Sequence, residues 1–403
     1  MAMALLNFEN TPYLWTPHNG LNTHINYKNN PVHYSWVTEI NNREGDYFYI
    51  EYMYDNAFSV YDLATLIEPY MMNKIKTGDV TLILANSGHG YHENVEGVYK
   101  DVIIKHSIDP KHIIMRSESF DILEEIKIIS EKYNLPMCRY EWVTEFEKSM
   151  KEYRRDTDHE LPITLQNKSY SKKFISYNGI WRPHRGAIIS MLSAMNILDK
   201  GIVSYNSKGN SGMSSNDNYE YLHKFLSYNQ ELKDLLESAE ESIRKIDRII
   251  LDVEEGTTVN TAAVLDTDKE LYENTYFSLV TETSIPIKPF SYRFDANTDV
   301  GRILSEKIFK PISLRHPFLV VSNPKTLELL RSLGYKTFSP LIDESYDDEE
   351  DIAKRLLMIV KEVKRLCELT PVELENFLIE AGKICDYNLE ILMNKDDYVH
   401  PLN

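Results

Sequence analysis

The sequence predicts an α/β protein of two sheet-containing halves with helices at its end. Three observations carry that expectation. Short apolar, β-branched runs such as residues 79–85 (DVTLILA), 276–281 (YFSLVT) and 318–321 (FLVV) read like strands buried on both faces of a parallel sheet. Amphipathic helical stretches separate these runs, the rhythm of βαβ units. Residues 148–172 are charged, carry Asp156, Asp158, Glu160 and Pro162, and show little apolar periodicity, so they read as a linker between the halves.

Bulk properties narrow the class. A chain of 403 residues is long for one hydrophobic core. The expected domains are residues 1–165, 166–365 and, as C-terminal helices packing back on the first domain, 366–403. No stretch approaches the ~20 uninterrupted apolar residues of a membrane helix. The start, MAMALLNFEN, has no basic region followed by a long apolar core. A cytoplasmic protein with no membrane partner is therefore expected. Cys138, Cys367 and Cys385 are odd in number and widely spaced, which suits reduced core residues. The formal net charge of −18 opposes non-specific binding to nucleic acid, so a polyanionic partner would need a local basic patch.

In the first half, residues 1–45 are polar and broken by Pro12, Pro17 and Pro31, and read as an extended arm or irregular strands. Strands are expected at 47–54, 79–85, 112–115 and 137–142, with helices at 60–72, 96–106 and 119–133. Pro69 would fall in the last turn of the first helix. The second half opens with a strand at 173–177, a loop at 178–185 and a helix at 186–198. A short strand at 203–204 precedes a polar loop at 207–218, one helical stretch at 219–246 and a strand at 276–281. Residues 304–345 follow as a charged turn stopped by Pro311, the strand 318–321, and a helix capped by Ser322 or Asn323, with Pro324 in its first turn and Gly334 as its stop. Residues 348–393 read as helical, with a second start where Thr370, Pro371 and Glu373 have capping-box spacing. No repeat at solenoid periods is present.

Four polar clusters could carry chemistry. Residues 178–185 (NGIWRPHR) turn from a strand's carboxyl end into a helix, where backbone N–H groups and the helix dipole favour an anion. Asn178, Arg182, His184 and Arg185 lie there, and guanidinium groups suit phosphate. Ser305, Glu306, Lys307 and Lys310 form the second cluster; a carboxylate beside lysines can take sugar hydroxyls while a lysine neutralises a diphosphate. Taken alone, a surface Glu306–Lys310 salt bridge explains that cluster better. Thr281 and Glu282 end the strand FSLVT and belong to the same sheet edge. In the first half, residues 86–93 (NSGHGYHE) offer Gly88 and Gly90 for close backbone approach and His89, His92 and Glu93 as bases. An HxxH pair without a third ligand is a weak metal signal. The GxSxG, P-loop, HExxH and GxGxxG patterns are absent, which weighs against hydrolase, NTPase and Rossmann dehydrogenase readings.

In order along the chain, KKFISYNGIWRPHRGAIISML, ILDKGIVSYN, YFSLVTETS, residues 304–355 and ICDYNLEIL resemble a glycosyltransferase family of large DNA viruses, phages and some bacteria. The SEKxxxKP segment also looks like the Glu-Lys donor motif of fucosyltransferase-type enzymes. The match covers about residues 172–391. It implies a GT-B-like fold: two Rossmann-like domains facing a central cleft, with C-terminal helices. It further implies that the second domain holds a UDP- or GDP-linked sugar as co-substrate. Arg182 and Arg185 would meet the diphosphate, Glu306 ribose or sugar hydroxyls, and Lys307 and Lys310 phosphate charge. Thr281 and Glu282 would line the sugar pocket. Asp386-Tyr387-Asn388 stands where the family leads one to expect His-Asn.

The expected reaction is attack of an acceptor hydroxyl on the anomeric carbon while cations stabilise the leaving diphosphate. By position, His89, His92 or Glu93 would take the acceptor's proton. No metal or other cofactor is expected: Asp156-Thr157-Asp158 and Asp266-Thr267-Asp268 spell DxD but fall in a linker and a loop. A hydroxymethylated base in phage DNA is the first candidate acceptor, ahead of a protein or a cell-surface glycan precursor. Lys168, Lys172, Lys173, Arg154 and Arg155 could supply the basic groove it requires. The reading from another class is a non-catalytic module that binds a nucleotide or nucleotide sugar. Sequence leaves the oligomeric state open.

Overall fold

The computed structural model describes residues 32–40, 43–52, 67, 69–86, 95–156, 172–178, 182–206, 215–245, 248–249, 271–282, 285 and 301–402. By contact the chain forms two compact units, Met1–Thr144 with Asp397–Asn403, and Glu145–Asp396. Sequence had suggested divisions near 165 and 365.

The first unit is built on a six-stranded sheet. Strands β1 (Val32–Ile40) and β2 (Arg43–Tyr52) pair antiparallel, with a register irregularity between Val37 and Glu39. Helix α1 (Pro69–Thr77), β3 (Thr81–Asn86), a helix that starts at Val95–Gly97 and runs on as the π-helix Val98–Ile104, β4 (Ile113–Ser117), α2 (Ile122–Tyr133) and β5 (Arg139–Val143) follow. The terminal strand Val399–Pro401 closes the far edge, antiparallel to β5. Strands β2 to β5 are parallel and lie in chain order. Leu82, Ile83, Leu84, Ile113, Ile114 and Met115 are buried, as continuous apolar runs require. Consecutive order gives no reversal of crossover direction among these described strands. The Rossmann-like expectation for this half therefore reduces to a parallel sheet with antiparallel edges. Pro69 opens α1 instead of disturbing its end, because its missing N–H is no loss at a first helical position. Residues 60–66 lie outside the described residues.

One charged pair stands out in this apolar sheet. Arg116 and Glu141 are registered partners on β4 and β5, both almost fully buried, with Arg116 Nε donating to Glu141 Oε2 at 3.0 Å.

The second unit begins with helix α3 (Glu145–Asp156), so the first part of the expected linker is helical. Two of its charges are packed away from solvent. Lys151 pairs with Asp396 at 2.7 Å and Glu147 with Lys395 at 3.0 Å, while Glu147 and Lys151 are buried. Next come β6 (Phe174–Ser176), α4 (Pro183–Ala194), β7 (Gly201–Val203) and a ribbon of β8 (Tyr205–Asn206) with β9 (Arg248–Ile249). Between the ribbon strands lie α5 (Ser215–Leu226) and α6 (Gln230–Lys245). The single helix expected over 219–246 is broken there because Asn229 caps α6, its Oδ1 accepting from Leu232 N at 3.1 Å. Then follow β10 (Phe277–Thr281), α7 (Glu306–Ser313), β11 (Phe318–Val321), α8 (Thr326–Ser332), α9 (Ile352–Cys367) and α10 (Pro371–Asn394).

Three local surprises have physical causes. Pro311 lies inside α7 and does not end it, because Ile308, Phe309 and Ile312 bury the helix and offset the lost hydrogen bond. Helix α8 starts at Thr326, after Pro324, and is capped from a distance: Asp347 accepts from Leu327 N at 2.9 Å and Glu328 N at 3.0 Å. Asn388 of α10 exchanges two hydrogen bonds with the backbone of Lys336, each 2.8 Å, and Asp386 pairs with Arg315. Helix α10 thus belongs to the second unit; only the terminal strand returns to the first. The expected capping box of Thr370 and Glu373 and the Gly334 stop, at φ +94°, are present.

All four strands β7-β6-β10-β11 are parallel, in that spatial order. The chain moves from β6 to β7 on one side and later to β10 on the other. The crossover direction therefore reverses between β6 and β10, where open α/β sheets form a crevice at their carboxyl ends.

Removing one member of the buried pair should cost the first unit about 3–5 kcal/mol, since the other charge is left uncompensated. Chemical denaturation should show that loss for Arg116→Met. Adding Glu141→Leu should recover most of it; an equal or larger loss in the double variant would contradict a desolvation-dominated pair.

Candidate functional site

At the carboxyl edge of the second sheet, short polar side chains first lace the strand ends together. Ser176 donates to Leu279 O at 2.9 Å, and Asn178 N donates to Ser204 Oγ at 2.9 Å. Asn178 Nδ2 donates to Ser176 Oγ at 3.0 Å, and Thr281 Oγ1 lies 3.0 Å from Asn178 Oδ1 and 3.1 Å from Tyr177 O. Buried polar groups need such partners. Asn178 and Thr281 are consequently scaffold, joining the ends of β6 and β10 and the residue that follows β7.

Helix α4 then points its first turn at this edge. Arg182 is its extended N-cap and Pro183 its first residue, and residues 183–192 are all buried, as in a helix surrounded by core. His184 Nε2 donates to the carbonyl of Glu282 at 2.9 Å. Arg185 Nη2 reaches the carbonyls of Thr281 and Glu282 at 3.2 and 3.3 Å. Burial, with Arg182 alongside, brings Arg185 down to about 10, so it remains a cation at neutral pH. Burial and then the Arg185 charge hold His184 well below its ordinary value; its imidazole is neutral.

Glu282 joins this helix to the next. Its Oε1 accepts from Ser305 N at 3.2 Å, its Oε2 accepts from Ser305 Oγ, and Ser305 in turn caps α7 by accepting from Lys307 N. Burial raises the Glu282 carboxyl, opposed by the Lys307 charge and the Ser305 hydrogen bonds. Lys307 pairs with its neighbour Glu306, and both stay partly accessible. Lys310 is buried over the rings of Tyr177 and Tyr272, at 4.7 and 5.7 Å from their centroids.

The structure thus gathers every described residue expected to bind the donor: Asn178, Arg182, His184, Arg185, Thr281, Glu282, Ser305, Glu306, Lys307 and Lys310. Several of them are already engaged by neighbouring protein groups. Asn178 and Thr281 bond each other, Glu282 accepts from Ser305 through its carboxylate, and the ammonium of Lys310 lies over aromatic faces. Tyr177, Tyr272 and Ser204 were missed. An aromatic as the last residue of the expected strand was the available signal for Tyr177, whereas Tyr272 and Ser204 carry none. Arg182, Arg185 and Lys307 act together with Glu282 and Glu306 here, three cations to two carboxylates at a helix N-terminus, an arrangement that attracts anions.

No protein-family model, curated protein or solved structure matches the chain.

His89, His92 and Glu93 lie outside the described residues, as do Lys168 and the Asp266-Thr267-Asp268 stretch. Lys172 donates to Asp199 O at 2.7 Å and Lys173 lies over the Tyr276 ring. Among the described residues no cluster of three or more His, Cys, Asp or Glu could hold a metal, and no helix is long and apolar enough to cross a membrane.

The raised carboxyl of Glu282 makes a pH prediction. A raised acid contributes most at low pH, and that contribution is lost as pH climbs from 4.5, the ordinary value, through the folded one. Wild-type stability minus that of Glu282→Gln should therefore fall with rising pH in that window. Thermal unfolding across pH measures it; a difference that grows with pH would contradict the burial-dominated carboxyl.

Proposed function

We propose that this chain is a glycosyltransferase that moves a sugar from a UDP- or GDP-linked donor to an acceptor hydroxyl. The single observation that supports it is the cationic carboxyl edge at the switch point, where Arg182, Arg185 and Lys307 converge with the first turn of α4. Arg182 and the α4 backbone N–H groups would take the diphosphate. Lys307 would neutralise the charge that grows on the leaving group, and Glu306 would take ribose or sugar hydroxyls. Arg185 and Lys310, both buried, would act through their field.

The GT-B-like pairing of the two units belongs to the same proposal, with the second unit as the donor half. In the first unit His89, His92 or Glu93 would accept the proton of the attacking hydroxyl. A hydroxymethylated base in phage DNA remains the leading acceptor, with a cell-surface glycan precursor or a protein behind it.

Incubating the protein with a panel of UDP- and GDP-sugars should release nucleoside diphosphate from at least one. Binding without release from any would favour the non-catalytic nucleotide-binding module. Arg182→Ala and Lys307→Ala should each weaken diphosphate binding about 10- to 100-fold by calorimetry, the loss of one charge-assisted hydrogen bond. Unchanged affinity in both would sink the site.

A further inference from the structure

The ring of His184 carries an unspent hydrogen-bonding atom. Its Nε2 is committed as donor to the Glu282 carbonyl at 2.9 Å, so in the neutral ring Nδ1 is a lone-pair acceptor. That atom is buried and has no hydrogen-bond partner, on a side chain 0% exposed in the first turn of α4. Buried acceptors rarely stay unmet, and leaving one so is costly.

The surroundings say what would meet it. Burial first, and then the charges of Arg185, Arg182 and Lys307, keep this ring neutral. An unprotonated nitrogen repels a phosphate oxygen and cannot donate to it. It accepts from O–H or N–H. A diphosphate held by Arg182 and Lys307 would bring the alcohol groups on either side of it, ribose on one and hexose on the other, next to this ring.

Resting on the donor reading above, we propose that His184 Nδ1 accepts a hydrogen bond from a sugar hydroxyl of the bound nucleotide or nucleotide sugar. His184 is then a specificity residue: it reads an alcohol where its cationic neighbours read charge. A site of this kind discriminates sharply against a ligand lacking the hydroxyl, because the acceptor is then left bare.

Two substitutions separate the ring's nitrogens. Gln places its amide nitrogen near the position of Nε2 and keeps the bond to Glu282; Asn places its amide oxygen near Nδ1 and keeps the acceptor. Calorimetry with UDP, GDP, UDP-glucose and GDP-mannose should show His184→Gln about 10-fold weaker than wild type and His184→Asn close to it. Loss against the parent diphosphates as well as the sugars assigns the hydroxyl to ribose. Loss against the sugars alone assigns it to the transferred hexose. Equal affinity of His184→Gln and wild type would mean that Nδ1 meets an internal water, and equal loss in both variants would mean a packing effect; either overturns the assignment. Should a variant not fold, the ¹⁵N resonance of Nδ1 in the wild-type protein gives the same answer: it moves upfield on ligand addition, or stays and refutes the contact. Failure of the wild-type protein to bind any of the four would overturn the donor reading itself, and this assignment with it.

Discussion

Residue 282 is the point on which the carboxyl edge of the second unit's sheet depends. Its carbonyl takes His184 and Arg185 from the first turn of one helix, and its carboxylate takes both donors of Ser305, the cap of another. One residue at the end of a central strand thereby fixes two helix N-termini against one sheet edge. Moving it would release Arg182 and Arg185 on one side and Glu306 and Lys307 on the other.

A buried carboxylate is expensive, and this one is tolerated because of what surrounds it. Two Ser305 donors and the Lys307 charge offset its desolvation, and its own charge helps to hold Arg185 in a place where a guanidinium would otherwise be penalised. Donors and charges fixed before a ligand arrives need no reordering when it binds, which is what an electrostatic site requires. The partly accessible charges, Arg182, Glu306 and Lys307, are carried by parts whose buried neighbours are pinned.

Much of this edge was legible in the sequence. Strands written as apolar runs, with NGIWRPHR, TE and SEK at their carboxyl ends, already gave the positions that the fold brings together. What sequence could not supply is partnership across long separations. Glu282 meets Ser305 across 23 positions and Lys151 meets Asp396 across 245, so Glu282 anchors a second helix and the start of the expected linker, residues 148–156, is a helix packed through Lys151. Pro311 misled for a related reason: local propensity ends a helix at proline, and burial of Ile308, Phe309 and Ile312 overrides it. In the first unit the apolar strands were plain, while their consecutive order, which gives no switch point among the described strands, had no local signature.

A crystal structure of the protein with UDP or GDP bound tests most directly whether the residue-282 edge is an anion site. The diphosphate should lie against the first turn of α4, with its oxygens within hydrogen-bond distance of Arg182 and Lys307. A nucleotide bound elsewhere at saturating concentration, with this edge empty, would contradict it.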